Sequence, residues 1–236
     1  FGAASHRVVT DVTAARPFPE TNSAVLSHRM VAMTATDRGA TGDTATTGAG
    51  RVAAAALACI AEHGVRAVTV EHVAAEAGVG RASVYRWFPG GRTDVILAAG
   101  LLELDRFVAE VEPRLTAAGT LDDALAEGLA TTVRFLRSSR PLQAVLEYEP
   151  ELVLPHLAFD RMDTAFDVAA SVAVRHLTRF VGERDARRAA ELVARLALSH
   201  AINPSADLDV EDLDAARRLV TRFVTMAVID RLEAIE

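Results

Sequence analysis

The sequence predicts an all-α protein, and three observations support this prediction. From Arg51 onward, apolar residues recur at helical spacing, with Thr or Asp at segment starts and Gly at segment ends. Alternating runs of β-branched and aromatic residues bounded by hairpin turns do not occur. The connections between the predicted helices are short, which favours antiparallel neighbours. We therefore expect a small N-terminal unit of three helices followed by a C-terminal antiparallel helical bundle.

Composition excludes several classes of protein. The chain has 236 residues, of which 50% are hydrophobic, so it can bury a sizeable core. Its longest apolar run, Val52 to Ala61, is shorter than the ~18 residues that a membrane span needs, and no secretory signal is evident. The single cysteine, Cys59, excludes an intramolecular disulfide and a thiolate-rich metal site. We expect a soluble, cytoplasmic protein that has no membrane partner, no cofactor and no metal ion.

Charge is unevenly distributed along the chain. The net charge is −7, and all 25 basic residues are arginine. Residues 48–92 contain five Arg and three Glu, whereas residues 93–236 contain sixteen Arg and 25 acidic residues. A basic segment joined to an acidic body is typical of an anion-binding module, although a solvated helix surface gives the same small excess.

Three domains are predicted from these shifts in composition. Residues 1–47 are rich in Thr, Ala, Gly and Ser without helical or strand periodicity, which predicts a disordered N-terminal extension. The sequence begins at Phe1, so that Met30 or Met33 is an alternative start. Residues 48–92 form the predicted three-helix domain, and residues 93–236 form the predicted bundle.

Three short helices are expected in the basic segment. The first spans 51–63 and ends at Gly64; Thr69 is the expected N-cap of the second, and Gly78 ends it. A third helix runs from Arg81 to Phe88. The expected helices of the bundle are 93–111, 121–138 with Thr120 as its N-cap, a short helix after Pro141, a fragment near 150–156, and three longer helices at 159–181, 184–201 and 210–235.

Residues 69–88, TVEHVAAEAGVGRASVYRWF, have the spacing of two short helices that cross near a right angle. If Val70, Val73 and Val84 face inward, the outer surface of the third helix carries Arg81, Ala82, Ser83, Tyr85, Arg86 and Trp87. Arginine can bind a guanine edge, serine several bases, and alanine a thymine methyl group. Tyrosine and tryptophan can donate to phosphates. These residues predict a helix-turn-helix DNA-binding domain.

The stretch from Arg51 to Leu102 resembles the N-terminal domain of the TetR family of transcriptional regulators. The resemblance rests on ALACIAEHG (56–64), TVEHVAAEAGVGRASVYRWF (69–88) and the helix start after Arg92. It implies that Arg81, Ala82 and Ser83 face bases, and that Thr69, Tyr85, Trp87 and Arg92 hold phosphates. Gly80 stands at the N-cap where the family commonly has Ser or Thr, and Trp87 where it often has His. An alternative is that Tyr85 and Trp87 pack against the fourth helix.

The resemblance also implies a regulatory pocket and a dimer interface in the bundle. The candidate pocket residues, which an ordinary core would equally use, are Phe107, Phe135, Tyr148, Phe159, Met162 and Phe166. Two apolar stripes on each of the last two helices favour burial against a second copy; a fully buried helix in a monomer is the alternative. The candidate interface residues are Ala190, Ala194, Ala197, Ala201, Val220, Phe223 and Ala227.

Together these features predict a homodimeric transcriptional regulator, a repressor rather than an activator, that binds a pseudo-palindromic double-stranded DNA operator. An apolar small molecule is the expected effector. Two alternatives remain open at this point: an all-α enzyme with its chemistry in the bundle, and a helical interaction module that does not bind DNA. The enzyme alternative is disfavoured because the bundle contains no Glu-x-x-His pattern.

Overall fold

The computed structural model describes residues 48–151 and 171–226, and all regular structure within these ranges is helical. The all-α prediction is therefore confirmed, whereas the predicted extension 1–47 lies outside the described residues. Residues 171–177 are helical, and a π-helical turn spans Thr221–Thr225. The helices are α1 (Gly48–His63), α2 (Val70–Glu76), α3 (Arg81–Trp87), α4 (Arg92–Ala117), α5 (Leu121–Ser138), α6 (Arg140–Tyr148), α7 (Glu183–Ile202) and α8 (Leu213–Val220).

The predicted helix caps are confirmed. Gly64 and Gly78 have φ angles of +77° and +64°, the left-handed conformation that glycine adopts at helix ends. The hydroxyl of Thr69 accepts a hydrogen bond from the backbone N–H of His72, and the hydroxyl of Thr120 caps α5 in the same way. Local sequence therefore sets where these helices begin and end.

The predicted end of α4 near residue 111 is wrong, because the helix continues through Pro113 to Ala117. Proline removes one backbone hydrogen bond, but burial of Val111 and Leu115 favours continuation of the helix. The guanidinium of Arg179 donates hydrogen bonds to three carbonyl oxygens at the end of α4, including that of Leu115 at 2.6 Å. These bonds satisfy acceptors that have no partner within the helix.

Two hydrophobic clusters form the core of the described residues. The first joins α1, α2, α3 and the start of α4 around Val52, Val73 and Val84, which are fully buried. The second is centred on α5, which packs against α4, α7 and α8. Helix α4 contributes residues to both clusters and so connects them. The predicted domain boundary at 92/93 falls at the first residue of α4 and stays a prediction.

The last described helix differs from the continuous helix predicted over 210–235. It begins at Leu213 after the N-cap Asp212, and its backbone changes to a π-helical turn at Thr221–Thr225. The hydroxyls of Thr221 and Thr225 both donate to the carboxylate of Asp122 at the start of α5. These two bonds favour the wider turn, which has Val224 buried beneath it.

Candidate nucleic-acid interface

The joint between α2 and α3 fixes the direction of the third helix. Gly78 adopts its positive φ, and the N–H of Val79 then bonds back to the carbonyl of Ala74 at 2.9 Å. Gly80 is extended and occupies the N-cap of α3 without a side-chain hydrogen bond, as expected for glycine. The carbonyl of Gly80 accepts from the N–H groups of Ser83 and Val84, which starts the helix.

One residue of α3 anchors this short helix. Val84 has no exposed surface and packs in the cluster that contains Val70, Val73 and Ala74 of α2. Burial of a valine side chain contributes about 1.5–3 kcal/mol, and α3 is too short to be stable in isolation. The face opposite Val84 is therefore left for solvent or a ligand.

The outer face of α3 carries the residues that the sequence places at DNA. Arg81, Ala82 and Arg86 are exposed, Tyr85 is 46% exposed, and Ser83 is half-buried. An exposed face with two guanidinium groups and a phenol hydroxyl can donate to base edges and phosphates. The individual contacts of these residues with DNA stay predictions.

The aromatic residues of α3 also have structural roles. The indole of Trp87 is half-buried in the first cluster and lies directly over Gly48, where even a β-carbon would overlap with it. The guanidinium of Arg86 lies 5.4 Å from the centroid of the Trp87 ring. The ring of Tyr85 rests on Gly91. Trp87 thus packs against the start of α1, whereas Tyr85 packs against the start of α4 and remains partly exposed.

Arg92, predicted to hold a phosphate, is bonded to the loop before α2. Its Nε and Nη2 atoms donate to the carbonyl oxygens of Val68 and Val65, each at 2.8 Å. Thr69, the next predicted phosphate contact, follows immediately after this loop. Arg92 therefore holds the loop before α2 in place. A contact between Arg92 and a phosphate would have to use the remaining N–H groups of the guanidinium.

Sequence reasoning missed the partner of Arg81. Glu71, in the first turn of α2, places its Oε1 atom 2.6 Å from Nη2 of Arg81, and both side chains are about half exposed. A carboxylate in the first turn of a helix, such as that of Glu71, ordinarily complements the helix dipole. A carboxylate ten residues before an arginine, in a pair of helices that cross, is the signal that could have revealed the ion pair.

A second acidic residue that sequence reasoning missed connects α6 to the α1–α2 turn. Glu149 is 3% exposed, and its Oε1 accepts a hydrogen bond from the backbone N–H of Arg66 at 2.6 Å. The side chain of Arg66 also pairs with Glu151 at 2.8 Å. The turn that precedes the helix-turn-helix is thereby tied to the chain beyond α6.

The predicted pocket residues do not all line one cavity. Phe107 lines an apolar cavity of about 50 Å³ between α4, α5, α7 and residues 172–177. Phe135 is buried and packs against Phe107, with ring centroids 5.3 Å apart and the ring planes tilted by 60°, whereas Tyr148 is 54% exposed. Phe159, Met162 and Phe166 lie outside the described residues. The other residues that line the cavity are Val111, Leu115, Ala124, Leu125, Gly128, Thr132, Val172, Ala173, Leu177, Ala190, Val193 and Ala194.

The predicted interface residues divide between the chain's own core and its surface. Buried in the second cluster are Ala190, Ala197 and Val220; partly buried are Ala194 and Ala201; Phe223 is 62% exposed; and Ala227 lies outside the described residues. Leu192 and Met226, on the second apolar stripe of their helices, are exposed as well.

Two other kinds of feature are absent from residues 48–151 and 171–226. No group of three or more His, Cys, Asp or Glu side chains could hold a metal ion within these ranges. None of the helices described there is long and apolar enough to cross a membrane.

Burial raises the pKa of the Cys59 thiol, and the nearby carboxylates of Glu76 and Glu62 raise it further. The reactive thiolate form of Cys59 is therefore disfavoured.

Known proteins resemble this chain along most of its length. The family model of the bacterial regulatory proteins of the tetR family matches residues 52–99. An uncharacterised HTH-type transcriptional regulator of Mycobacterium tuberculosis is 31% identical over 179 residues, which cover 74% of this chain and 89% of the relative. This match extends well beyond the helix-turn-helix.

Two solved structures share the fold. The TetR family repressor AlkX from Dietzia sp. strain DQ12-45-1b aligns with a TM-score of 0.56 at 22% identity, covering 78% of this chain and 98% of that chain. A structure from Streptomyces coelicolor A3(2) aligns with a TM-score of 0.56 at 23% identity, covering 74% and 96%. At these identities the likeness concerns the fold alone.

Proposed function

Because this chain belongs to the TetR family of bacterial transcriptional regulators, we propose that it is a cytoplasmic homodimeric repressor that binds a pseudo-palindromic DNA operator. The observation that carries the proposal is the outer face of α3. Arg81, Ala82 and Arg86 are exposed there, while Val84 fixes the opposite face in the core. In a helix-turn-helix, this face of the second helix enters the major groove, where Arg81 would bind a guanine edge.

Exposed apolar side chains near the end of the chain support dimerisation. Leu192 of α7 is 39% exposed, and Phe223 and Met226 in and after the π-helical turn are 62% and 54% exposed. Phe223 and Met226 are three residues apart and so share one side of the helix, and contiguous exposed apolar surface marks interaction sites. We place the dimer contact at these residues with Ala194 and Ala201, while Ala190, Ala197 and Val220 support it from the core.

The apolar cavity beside Phe107 supports binding of an apolar effector. Its volume of about 50 Å³ is below the roughly 300 Å³ of ordinary ligand pockets. An effector would therefore bind a state in which the surrounding helices have moved apart. Release from DNA would follow from the preference of the effector for that state.

Selection from a library of random double-stranded DNA by the full-length protein tests the central proposal. We expect an inverted repeat with half-sites centred one helical turn apart, about 34–36 Å. Affinity should fall with salt at a log–log slope near −0.9 per phosphate neutralised. Failure to enrich any sequence would refute sequence-specific binding.

Two substitutions separate base contacts from phosphate contacts. Arg81→Ala should relax base preference at one position in each half-site, whereas Tyr85→Phe should weaken binding to all sequences alike while keeping the ring on Gly91. Arg187→Ala, which removes an exposed arginine of α7, is the matched control and should leave the selected sequence unchanged.

Sedimentation tests the dimer independently of DNA. Phe223→Glu should shift the protein to monomers, because it places a charge at the proposed apolar interface. Tyr148→Glu replaces a similarly exposed aromatic residue outside this surface and should leave the dimer intact. A dimer that survives Phe223→Glu would contradict the proposed location.

A further inference from the structure

We propose that Glu71 is a specificity-determining residue, which orients Arg81 for its base pair and penalises other placements of the guanidinium. This inference rests on the proposed DNA-binding function and deepens it. Glu71 lies in the first turn of α2 and Arg81 is the first residue of α3. The ion pair between Oε1 and Nη2, at 2.6 Å, therefore spans the two helices of the helix-turn-helix.

The ion pair restricts Arg81 before DNA arrives. A free arginine side chain samples many rotamers and loses that freedom when it binds. With Nη2 held by Glu71, the guanidinium has a preferred direction, and its other N–H groups stay free to donate to a guanine. Because α2 is anchored by the Thr69 cap and by burial of Val73, the carboxylate is itself attached to a fixed helix.

The charge of Glu71 adds a penalty against incorrect contacts. A carboxylate close to the DNA surface is repelled by phosphates unless its charge stays paired. If Arg81 turns from its base toward a phosphate, it leaves Glu71 unpaired in that field. At the operator, Arg81 can contact the guanine and Glu71 together, so this penalty does not arise. Glu71 therefore lowers affinity for incorrect sequences more than for the operator.

Glu71 contributes little to the fold, which makes the inference testable. Both partners are about half exposed, and such pairs contribute little to stability. The matched control is Glu76, the last residue of the same helix. Glu76 carries the same charge as Glu71, but its carboxylate lies near Cys59 of α1, where it raises the pKa of the thiol.

The experiment uses full-length protein and DNA selected by the unaltered protein from a random double-stranded library. Affinities are measured for that DNA and for every single-base-pair substitution of one half-site. Glu71→Ala should reduce discrimination roughly 3- to 10-fold at the base pair where Arg81→Ala acts, and leave other positions unchanged. Glu71→Gln should keep part of it, since its amide oxygen can still accept from Arg81. Glu76→Ala should leave the profile unchanged.

A double-mutant cycle completes the test. In the Arg81→Ala background, Glu71→Ala should have no further effect on discrimination, because the residue acts through Arg81. A uniform gain in affinity for all sequences, or lost discrimination at other base pairs, would overturn the inference. If no sequence is selected, or Arg81→Ala leaves base preference unaltered, the proposed function has failed instead, so the two failures are distinguishable.

Discussion

Replacement of Gly64 by alanine should destabilise the protein far more than the same change at Gly78. Both glycines end a helix in the left-handed conformation, with φ of +77° and +64°. Alanine in this conformation costs about 1–2 kcal/mol at either position. Nothing lies within 4 Å of a β-carbon at Gly78, whereas a β-carbon at Gly64 would lie 2.7 Å from Oε1 of Glu149.

The additional cost at Gly64 arises from that carboxylate. Glu149 is 3% exposed and accepts a hydrogen bond from the N–H of Arg66 at 2.6 Å. Its other oxygen is buried too, without a hydrogen-bond partner among the described residues. The carboxylate can therefore move aside only by displacing the atoms packed around it. Displacement would break a buried bond to a charged group, at about 1–3 kcal/mol. We expect Gly64→Ala to cost about 2–5 kcal/mol in total, against about 1–2 for Gly78→Ala.

Urea unfolding monitored by circular dichroism, at one fixed protein concentration, measures both free energies of unfolding. In a Glu149→Ala background the clash is absent, so the cost of Gly64→Ala should fall to that of Gly78→Ala. Equal destabilisation by the two glycine substitutions in the unaltered background would refute this reasoning.

Two further predictions concern charged groups. The pKa of the Asp123 carboxyl lies below its ordinary value of 3.8 because of hydrogen bonds from Thr120 and then Arg217. The ionised carboxylate of Asp123 therefore stabilises the fold fully above about pH 4, and this stabilisation is lost as the pH falls through the lowered pKa. Asp123→Asn should therefore flatten the acid limb of stability against pH in urea titrations, and an unchanged limb would contradict the assignment. Arg92→Ala should speed amide hydrogen exchange in residues 65–68 and weaken binding to all DNA sequences alike, whereas a change in base preference would contradict its role as a positioning residue.

The sequence predicted the helix-turn-helix well because its determinants are local. Thr69, Gly64 and Gly78 fix helix ends through contacts within a few residues, and the 3.6-residue period places Val84 inward. The Glu71–Arg81 pair was not predicted, because it depends on the angle at which two helices cross. Burial of Trp87 over Gly48 depends on tertiary packing in the same way.

The sequence pattern does not determine which face of α7 is buried, because two stripes of this helix are apolar. Hydrophobicity alone would bury the large Leu192 and expose the smaller Ala190 and Ala197, but the structure shows the opposite. Close packing of α7 against α5 explains this, since small side chains allow two helices to approach closely. The sequence pattern also underestimates the length of α4, because tertiary contacts decide where this helix ends. Hydrogen bonds from Arg179 and burial of Leu115 compensate for the backbone hydrogen bond that Pro113 removes.

The course of α4 suggests how the cavity and α3 can be coupled. Near its start, Val95 and Ala99 pack with the helix-turn-helix core, while Val111 and Leu115 near its end line the cavity. A ligand that widens this small cavity must displace some of its walls, and a helix of 26 residues transmits displacement over about 39 Å. Arg92, at its first turn, is bonded to the loop that precedes α2. Movement of α4 would therefore reposition α2, and with it the carboxylate of Glu71 and the exposed outer face of α3.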